Sequence, residues 1–577
     1  MPKLIRRRQA AASAALAQAN LSPLLARVYA GRGVESPDQL ELDFRHLLPP
    51  SALLGVERGA QLLADTIAAG QHILIVGDYD ADGATSTALA LHALRLMGAE
   101  RVSYLVPNRF EYGYGLTPEI VALALRGERP DLLLTVDNGI SSIEGVAAAR
   151  QAGIATLITD HHLAGAELPD ADVIVNPNQP GCGFPSKVLA GVGVIFYLML
   201  ALRAELRQRG VFDSRSQPNL GELTDLVALG TVADVVPLDH NNRILVDAGL
   251  QRIRAGRARP GIAALLEVAG RNYRSTVASD LGFAVGPRVN AAGRLDDMSV
   301  GIECLLASDT ARARELAAQL HQINRDRRDI EQDMQAQALK LLADIDLAAE
   351  AAPVAITLYE ADWHQGVIGI LASRIKDRLH RPTIVFADGD SGAIKGSARS
   401  IPGIHIRDVL DAVATRHPGL IQKFGGHAMA AGLSLAREAY PQFAAAFLDE
   451  VERHAEDVHL QAVLESDGDL PAEAFSLETA SELRYAGPWG QHFPEPLFDG
   501  EFSIVSQRIV GEKHLKLVLG LPGDSRIIDA IAFNVDTGIW PDQDADRVRV
   551  AYRLDVNEYR GRQSVQLMIE ELEILGA

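Results

Sequence analysis

The sequence predicts an α/β protein built from several domains, and three observations support this prediction. The chain has 577 residues, several times the ~100–200 residues of a typical domain. Apolar residues make up 47% of it and charged residues 23%, which is typical of folded globular proteins and excludes disordered or fibrous chains. Between residues 70 and 240, short apolar runs alternate with helix-like stretches. This alternation indicates βαβ units and a parallel sheet.

The first α/β segment contains three apolar runs that each stop close to an aspartate. The runs and their aspartates are Ile73–Val76 before Asp78, Leu132–Val136 before Asp137, and Ala155–Thr159 before Asp160. Runs of β-branched residues and Leu are typical of buried parallel strands, and helices are predicted at 85–97 and 141–152 between them. Ligands of open parallel sheets bind beyond the carboxyl ends of the strands. We therefore expect the aspartates to lie together at one edge of the sheet.

The rest of the chain predicts a connecting helix, a second α/β domain and a small barrel. A mostly polar helical pattern runs from residue 309 to about 348 and opens with a capping sequence. Apolar strands are predicted at 354–358 and 383–386. Five later runs alternate apolar and polar residues, at 502–510, 515–519, 527–533, 548–556 and 564–569. Five such strands predict a barrel of the oligonucleotide-binding (OB) kind.

The composition excludes several classes of protein. Only two cysteines occur, Cys182 and Cys304, so the chain can build neither a disulfide framework nor a thiolate zinc cluster. The longest apolar run, Val188–Leu202, is shorter than the ~20 residues of a membrane span and predicts a buried helix. A cytoplasmic protein without a membrane partner is therefore predicted.

The charge distribution leaves two interpretations open. The formal net charge of −20 argues against long-range attraction of a nucleic acid. Residues 243–294 depart from this balance, because they contain nine arginines and three acidic residues. The block is either a salt-bridged surface or a groove that binds phosphates. A groove would make nucleic-acid binding strongly dependent on salt.

The most specific local signal is the sequence GDYDADG at residues 77–83. Its three carboxylates, Asp78, Asp80 and Asp82, repel one another unless cations neutralise them. An EF-hand calcium loop is the obvious alternative, but Leu89 stands where that loop needs a bidentate glutamate, and a strand leads into the sequence. An anionic surface turn also stays open. The cluster favours a metal site.

Further carboxylates and histidines follow other predicted strands. Asp137 lies in an Asp-Asn-Gly sequence that is also ordinary turn chemistry. Asp160, His161 and His162 can supply both metal ligands and a general acid or base, although two histidines can also occur on a surface by chance. Asp234 lies between apolar residues, where an ionised carboxylate is costly without a cation, unless it caps a helix. Side chains from four strand ends would thus form a two-metal centre for Mn²⁺ or Mg²⁺ that hydrolyses phosphoesters.

Taken in chain order, the run Asp78–Gly83, then Asp137, then Asp160–His162 and finally Asp234 resemble the four motifs of the DHH phosphoesterase superfamily. Three later sequences narrow the resemblance: GPRVNAAGR at 286–294, HQGVIG at 364–369 and GGHAMAAG at 425–432. They are similar to those of the RecJ family of bacterial exonucleases specific for single-stranded DNA. The resemblance covers nearly the whole chain.

The resemblance implies hydrolysis of single-stranded DNA from the 5′ end toward the 3′ end, which yields nucleoside 5′-monophosphates in DNA repair and recombination. It implies two bound ions, Mn²⁺ or Mg²⁺. By motif, the metal ligands are Asp78, Asp80, Asp82, Asp137, His161 and Asp234. The implied catalytic residues are Asp137, which would bridge the ions, and His162, which would contact the substrate or the leaving group.

The resemblance also implies a set of DNA-binding residues. These are Arg109, Arg288, Arg294, Arg374, Lys395, Ser397, Arg399 and His427. From spacing alone, Arg109 fits a packed loop equally well, and His427 fits a buried histidine equally well. Single-strand-binding protein and a helicase are implied as partners, and a monomer as the oligomeric state.

The expected domains are an N-terminal helical arm (1–48), a DHH catalytic domain (49–305), a connecting helix (306–350), a DHHA1 domain (351–450) and an OB-fold domain (451–577).

Two other functions stay open. A DHH phosphodiesterase acting on short oligoribonucleotides or cyclic dinucleotides is the closer alternative, although such relatives generally lack a C-terminal barrel. A non-catalytic DHH scaffold is the other, although it would have lost some of the ligands that this chain keeps.

Overall fold

The structure, a computed structural model, describes residues 3–9, 13–342, 353–389, 392–456, 460–542, 544–559 and 561–575. The chain divides into two compact units. The first unit comprises Gln9–Asn324 and Ser481–Glu495. The second unit comprises Met1–Arg8, Arg325–Ala480 and Pro496–Ala577.

The first unit is built on a five-stranded parallel sheet. After the N-terminal strand β1 (Leu4–Arg7), which belongs to the second unit, its strands are β2 (Ile73–Gly77), β3 (Val102–Leu105), β4 (Leu132–Val136), β5 (Ala155–Thr159) and β6 (Val173–Val175). The strand order is β3-β2-β4-β5-β6, and all neighbours are parallel. Every residue of β2 and β4 is buried. The predicted parallel sheet is confirmed, and the carboxyl ends of β2, β4 and β5 lie side by side.

Helices surround this sheet. They are α1 (Ala14–Gln18), α2 (Pro23–Ala30), α3 (Val56–Ala68), α4 (Ala81–Leu96), α5 (Arg109–Tyr112), α6 (Pro118–Ala124), α7 (Ile143–Gln151), α8 (Gly191–Gln208), α9 (Thr224–Ala233), α10 (His240–Arg254), α11 (Pro260–Val268), α12 (Ala278–Asp280), α13 (Gly286–Leu295) and α14 (Ser299–Leu306). A π-helical turn, Leu281–Val285, joins α12 to α13. The apolar run expected to be a buried helix is α8, whose first nine residues are all buried. No helix within the described ranges is both long and apolar enough to cross a membrane.

The long helix α15 (Thr310–Leu341) begins in the first unit and ends in the second. The second unit then forms a mixed five-stranded sheet from β7 (Ile356–Tyr359), β8 (Thr383–Asp388), β9 (Ala393–Arg399), β10 (Lys423–Gly426) and β11 (Ala430–Ala436). Its order is β10-β11-β9-β8-β7, in which only β7 and β8 are parallel. The helices of this part are α16 (Ile368–Leu379), α17 (Ile406–Arg416) and α18 (Tyr440–His454). Phe386, Phe443 and Phe447 are fully buried in its core.

The predicted five-stranded barrel is also confirmed. After β12 (Val463–Ser466) and α19 (Leu477–Tyr485), the strands β13 (Phe498–Val510), β14 (His514–Gly520), β15 (Ile527–Ala532), β16 (Arg547–Tyr559) and β17 (Arg562–Ile574) close in the order β13-β14-β15-β17-β16. The N-terminal segment differs from the expected helical arm, because it starts with a strand. β1 pairs in parallel with β12, and Arg7 forms an ion pair with the buried Asp499.

Candidate metal centre and nucleic-acid face

The turn after β2 presents three aspartates in three different environments. Asp80 caps α4, because its Oδ1 accepts hydrogen bonds from the backbone N–H groups of Asp82 and Gly83. This cap explains why α4 begins four residues before the predicted helix. The carboxylate of Asp82 is buried and accepts hydrogen bonds from the N–H groups of Gly191 and Val192, at 2.6 and 2.9 Å. Asp78 is also buried.

Asp137 and His161 lie at the ends of the two neighbouring strands. Asp137 directly follows β4 and adopts a φ of +63°, a left-handed conformation that costs energy for a residue with a Cβ. Its Oδ1 lies 3.1 Å from Nε2 of His161. The same nitrogen lies 3.5 Å from Oδ2 of Asp234. Asp137 and Asp234, far apart in the chain, therefore converge on His161.

One expectation about this convergence is wrong. Asp234 does not follow a strand but is the C-terminal capping residue of α9, so the residues come from three strand ends and one helix end. The β-branched residues around Asp234, such as Val232, Val235 and Val236, favour a strand when only local preference is considered. Most of α9 is buried, and it packs most extensively against α10 and α4. This tertiary packing overrides the local preference for a strand.

Three overlapping groups of side chains are arranged so that they can hold metal ions. In each group, one oxygen or nitrogen atom per residue lies within 4.8 Å of the corresponding atoms of the other members. The groups are Asp78, Asp80 and Asp137; Asp82, His161 and Asp234; and Asp137, His161 and His162. Because Asp137 and His161 each belong to two groups, the arrangement suits two neighbouring ions with shared ligands.

The carboxylates of the cluster repel one another strongly, as expected of a cation site. Burial, followed by repulsion from Asp234, raises the pKa of Asp82 to about 7. Burial, followed by repulsion from Asp80, raises the pKa of Asp234 to about 8. The pKa of Asp137 is raised well above its usual value by burial and by four surrounding carboxylates. Divalent cations would reverse these shifts because they stabilise the ionised carboxylates.

The donor set also fits such ions chemically. Burial lowers the pKa of His161, so the imidazole is neutral and can donate a lone pair to a metal. Among the described residues, none forms a hydrogen bond with Nε2 of His161 or Oδ1 of Asp137, although both atoms are buried. Buried polar atoms usually have partners. A cation between carboxylate oxygens and imidazole nitrogen would satisfy both atoms.

His162 lies beside the cluster in a different electrostatic state. Its Nδ1 lies 2.7 Å from Oδ1 of Asp160 and 3.0 Å from the hydroxyl of Tyr114. Burial alone would lower the pKa of His162, but the hydrogen bond and the charge of Asp160 outweigh burial and raise the pKa to about 9. Asp160 is itself held by the N–H of Ile140, at 2.9 Å. The imidazole is therefore protonated at neutral pH and held in one orientation.

The sequence GPRVNAAGR forms α13, which packs directly on the aspartate-rich turn. The side-chain oxygen of Asn290 accepts a hydrogen bond from the N–H of Ala81 at 2.7 Å. A Cβ on Gly293 would clash with the carbonyl oxygen of Tyr79, so only glycine allows this approach. The motif thus holds the turn that carries the metal-ligand candidates.

The arginines expected to bind DNA in the first unit occupy unequal positions. Arg288 is buried, and its guanidinium donates hydrogen bonds to the carbonyl of Ala284 and to His321. Arg294 is half-buried in the last turn of α13. The backbone of Arg109 begins α5, but its side chain lies outside the described part of the structure.

Most of the arginine-rich block at 243–294 serves the fold. Arg252 and Arg259 surround the fully buried carboxylate of Asp225. Arg271 forms an ion pair with Asp280, and Arg254 donates to the carbonyl of Thr276. Arg243 is buried, and its guanidinium lies over the ring of Phe493. The structure therefore supports the salt-bridged interpretation for these arginines, because their guanidinium groups already have partners within the protein.

A second group of candidates lies on the mixed sheet of the second unit. Lys395, Ser397 and Arg399 alternate with buried residues along β9, so they share its accessible face. Arg399 donates to the hydroxyl of Ser397 at 3.1 Å. No carboxylate among the described residues forms an ion pair with Arg399. A cation without a counter-ion beside a hydroxyl group is suited to a phosphate.

Two motifs flank this face. A Cβ on Gly369, in the first turn of α16, would lie 2.9 Å from the Ser397 hydroxyl, so the helix start lies directly against the face. The N–H of His427 donates to the carbonyl of Ala430, which is the residue paired with Arg399 across β9 and β11. Arg374, on α16, forms an ion pair with Glu331 of α15, with Nε of the arginine 2.8 Å from Oε1 of the glutamate.

Comparison with known proteins decides the family. Family models match the chain at residues 72–231 (DHH family, N-terminal domain), 351–455 (DHHA1 domain) and 466–571 (RecJ OB domain). The chain is 56% identical to the single-stranded-DNA-specific exonuclease RecJ of Dickeya dadantii, over 96% of both chains. It is 54% identical to that of Escherichia coli, over 98% of both chains. The chain belongs to the RecJ family. The family predicted from the motifs is thereby confirmed.

Solved structures of RecJ have the same fold. The crystal structure of RecJ from Thermus thermophilus in complex with Mn²⁺ is 30% identical, with a TM-score of 0.80 over 99% of this chain and 80% of that chain. The complex of the same protein with Mg²⁺ gives 29% identity and a TM-score of 0.75 over 99% and 79% of the two chains. The predicted fold class, with DHH, DHHA1 and OB parts, is confirmed for this RecJ family member.

Sequence reasoning missed several residues that position the site of this RecJ family member. The hydrogen bond of Tyr114 to His162 joins residues 48 positions apart. Asn290 was not among the predicted site residues, although it lies inside the motif GPRVNAAGR that the sequence singled out. Nothing in the sequence marks the backbone of Gly191 as a partner of Asp82, because this contact depends on where α8 begins.

Proposed function

We propose that the chain is a metal-dependent exonuclease that hydrolyses single-stranded DNA from the 5′ end and releases nucleoside 5′-monophosphates in DNA repair and recombination. The proposal depends on one observation in a member of the RecJ family. At the ends of two parallel strands, Asp137 lies within metal-binding distance of Asp78 and Asp80, and His161 lies within metal-binding distance of Asp82 and Asp234. Exonuclease activity specific for single-stranded DNA is the activity by which the curated relatives are named.

The proposed cofactor is a pair of Mn²⁺ or Mg²⁺ ions. Their proposed ligands are Asp78, Asp80, Asp82, Asp137, His161 and Asp234, with Asp137 shared between the two ions. When bound, divalent ions of this kind activate a water molecule and neutralise the charge that develops on a phosphoryl group. The hydrogen bonds from Gly191 and Val192 keep the Asp82 carboxylate oriented toward the site.

The proposed catalytic contribution of His162 is proton transfer. Its imidazole is protonated at neutral pH and is oriented by Asp160 and Tyr114. A protonated imidazole beside the reacting phosphate can stabilise negative charge and donate its proton to the departing oxygen of the DNA strand. The hydrogen bond from Nδ1 of His162 to Asp160 keeps the ring in place during the transfer.

The proposed DNA contacts include the β9 face, with Lys395, Ser397 and Arg399, together with His427 and Arg374. In the first unit they include Arg109, Arg288 and Arg294. Such phosphate contacts carry no sequence information, so little sequence preference is expected. The bounds of the five predicted domains, the cytoplasmic location, the monomeric state and the association with single-strand-binding protein or a helicase stay predictions.

Arg399→Ala tests the β9 face. Loss of one phosphate contact should lower the affinity for single-stranded DNA roughly tenfold, and the slope of log affinity against log salt should become shallower by ~0.7. The measurement is fluorescence anisotropy with a labelled strand in EDTA, over a series of salt concentrations. Arg437→Ala is the matched control, because Arg437 lies in the same domain and already has Asp388 as its partner. An unchanged slope for Arg399→Ala would remove this residue from the DNA-binding set.

The activity itself is tested by digesting two copies of one long single strand, labelled at the 5′ or the 3′ end, with Mn²⁺ and with Mg²⁺. We expect immediate release of a labelled mononucleotide from the 5′-labelled strand only, and no digestion of the duplex. A dinucleotide substrate is compared in parallel. Faster hydrolysis of the dinucleotide would favour the DHH phosphodiesterase alternative, and failure to bind Mn²⁺ at millimolar concentration would favour the scaffold.

A further inference from the structure

A short segment far along the chain folds back onto the first unit. Residues Ser481–Glu495, here called the return segment, belong to the first unit, whereas the residues on both sides of it belong to the second. The segment is fixed by hydrogen bonds to its backbone carbonyl groups. Tyr29 donates its hydroxyl proton to the carbonyl of Ala486 at 2.8 Å. The N–H of Leu238 donates to the carbonyl of Gln491 at 2.8 Å.

Aromatic and cationic side chains strengthen this attachment. Trp489 and Phe493 stack with ring centroids 5.2 Å apart, and Tyr29 lies 6.0 Å from Trp489. Two guanidinium groups cover the cluster: Arg243 lies 4.2 Å from the centre of the Phe493 ring, and Arg32 lies 5.2 Å from that of Trp489. Buried cation–π and stacking contacts of this kind make a rigid anchor.

The residue directly after Asp234 is strained. Val235 adopts a φ of +61° and is 62% exposed. A β-branched residue in the left-handed region is a genuine outlier, and such strain persists only where the surroundings impose it. The N–H of Val235 donates to the carbonyl of Val232 at 3.3 Å, an arrangement typical of a left-handed residue directly after a helix. The end of α9 therefore imposes this conformation from one side, and it sets the direction in which the loop leaves the helix.

Both ends of this loop are fixed. On one side, α9 holds the N–H of Asp234 on the carbonyl of Gly230 at 2.9 Å. On the other side, the return segment holds Leu238 through the Gln491 hydrogen bond and through Gly490, where a Cβ would lie 2.7 Å from Cδ1 of Leu238. Asn242 adds a hydrogen bond to the carbonyl of Pro237 at 2.9 Å. The loop between Asp234 and Leu238 thus spans two anchors.

We infer that the return segment is a positioning element for the metal centre: by holding Leu238, it fixes the far end of the loop that leaves α9 through the left-handed Val235, and so helps to direct the carboxylate of Asp234 toward His161. This inference rests on the proposed metal-binding function of Asp234. Gln491 and Gly490 touch neither the ions nor the substrate. They act through the loop, so their loss should weaken metal binding more than turnover at saturating metal.

The test is a graded series at one glycine. Gly490→Ala and Gly490→Val push Leu238 away, and the φ of this glycine does not lie in the left-handed region. We expect the Mn²⁺ dissociation constant, measured by calorimetry on the full chain, to rise about tenfold for Val and less for Ala, as for other residues that orient metal ligands. The turnover number at saturating Mn²⁺ should change less than twofold. Arg32→Ala loosens the cation–π anchor of the same segment away from Leu238, so it should raise the Mn²⁺ dissociation constant by less than Gly490→Val does.

A compensating change tests the route through the loop. Glycine adopts positive φ without strain, so Val235→Gly should restore the Mn²⁺ affinity of Gly490→Ala and Gly490→Val, whereas Val236→Gly should not. Unchanged affinity in both Gly490 variants, or lost affinity that Val235→Gly does not restore, would overturn the inference. Asp234→Asn separates the two proposals. If this variant binds Mn²⁺ normally, the ligand assignment fails; if it binds weakly while the Gly490 variants bind normally, only the positioning inference fails.

Discussion

Asp137→Asn is expected to lower the rate of DNA hydrolysis by at least ~10³-fold, because the loss of a shared ligand removes several kcal/mol of transition-state stabilisation from both ions. Asp137 belongs to two of the three candidate metal groups, and its Oδ1 faces His161 at 3.1 Å. The amide has nearly the same shape as the carboxylate but carries no charge. Binding of single-stranded DNA in EDTA should be retained, because it depends on residues elsewhere.

The same substitution should stabilise the metal-free protein. The Asp137 carboxylate is buried among Asp78, Asp80, Asp82 and Asp234, and these surroundings raise its pKa. Removing an uncompensated buried charge should raise the free energy of unfolding by roughly 1–3 kcal/mol in EDTA. A gain in stability combined with a loss of activity distinguishes a metal ligand from a residue that merely supports the fold.

Asp225→Asn provides the matched comparison. Asp225 is also fully buried, and burial also raises its pKa, but Arg252 and Arg259 lie against its carboxylate. Removing its charge leaves two half-buried cations without a counter-ion and should cost about 3 kcal/mol of stability. Mn²⁺ affinity should be unchanged. Thermal unfolding in EDTA and calorimetric titration with Mn²⁺ measure both quantities, and a destabilised Asp137→Asn protein would contradict the assignment.

The contrast between these two aspartates shows what the sequence can predict. The strand-end aspartates were predictable because a buried parallel strand is readable from its apolar run, and the carboxyl ends of such strands meet at one edge. Nothing in the sequence marked Asp225 as a buried ion-pair partner, because the two arginines that pair with it lie about 30 positions further along the chain. Counting charges along the chain could not show that these arginines were already neutralised.

Helix packing limited the prediction in the same way. The strands that carry Asp80, Asp137 and His161 were predicted within one or two residues. Asp234 was assigned to a strand although it ends α9, because β-branched residues occur in both kinds of element and burial decides between them. The contacts that orient the site, from Asn290 to Ala81 and from Tyr114 to His162, depend on loops and helix ends that periodicity does not place.

The stability of the metal-free protein is expected to fall as the pH rises from about 6.5 to 9. The folded-state pKa values of Asp82 and Asp234, about 7 and about 8, lie above their unfolded values, and so does that of His162, about 9. A group with a raised folded pKa binds its proton more tightly in the folded state, so its contribution to stability is lost as the pH rises through that pKa. The depressed pKa of His161 acts in the opposite direction, but only below about 6.5.

Bound metal should remove this dependence. Each unit of pKa difference corresponds to ~1.4 kcal/mol, and these groups titrate together, so we expect a total fall on the order of 5 kcal/mol in EDTA. Divalent ions compete with protons for the carboxylates, so metal binding strengthens as the pH rises. Unfolding in saturating Mg²⁺ should therefore show a flat or rising stability over the same range. A metal-free protein that becomes more stable between pH 6.5 and 9 would show that the carboxylates of the cluster are already neutralised by groups of the protein itself, which is incompatible with a cation site.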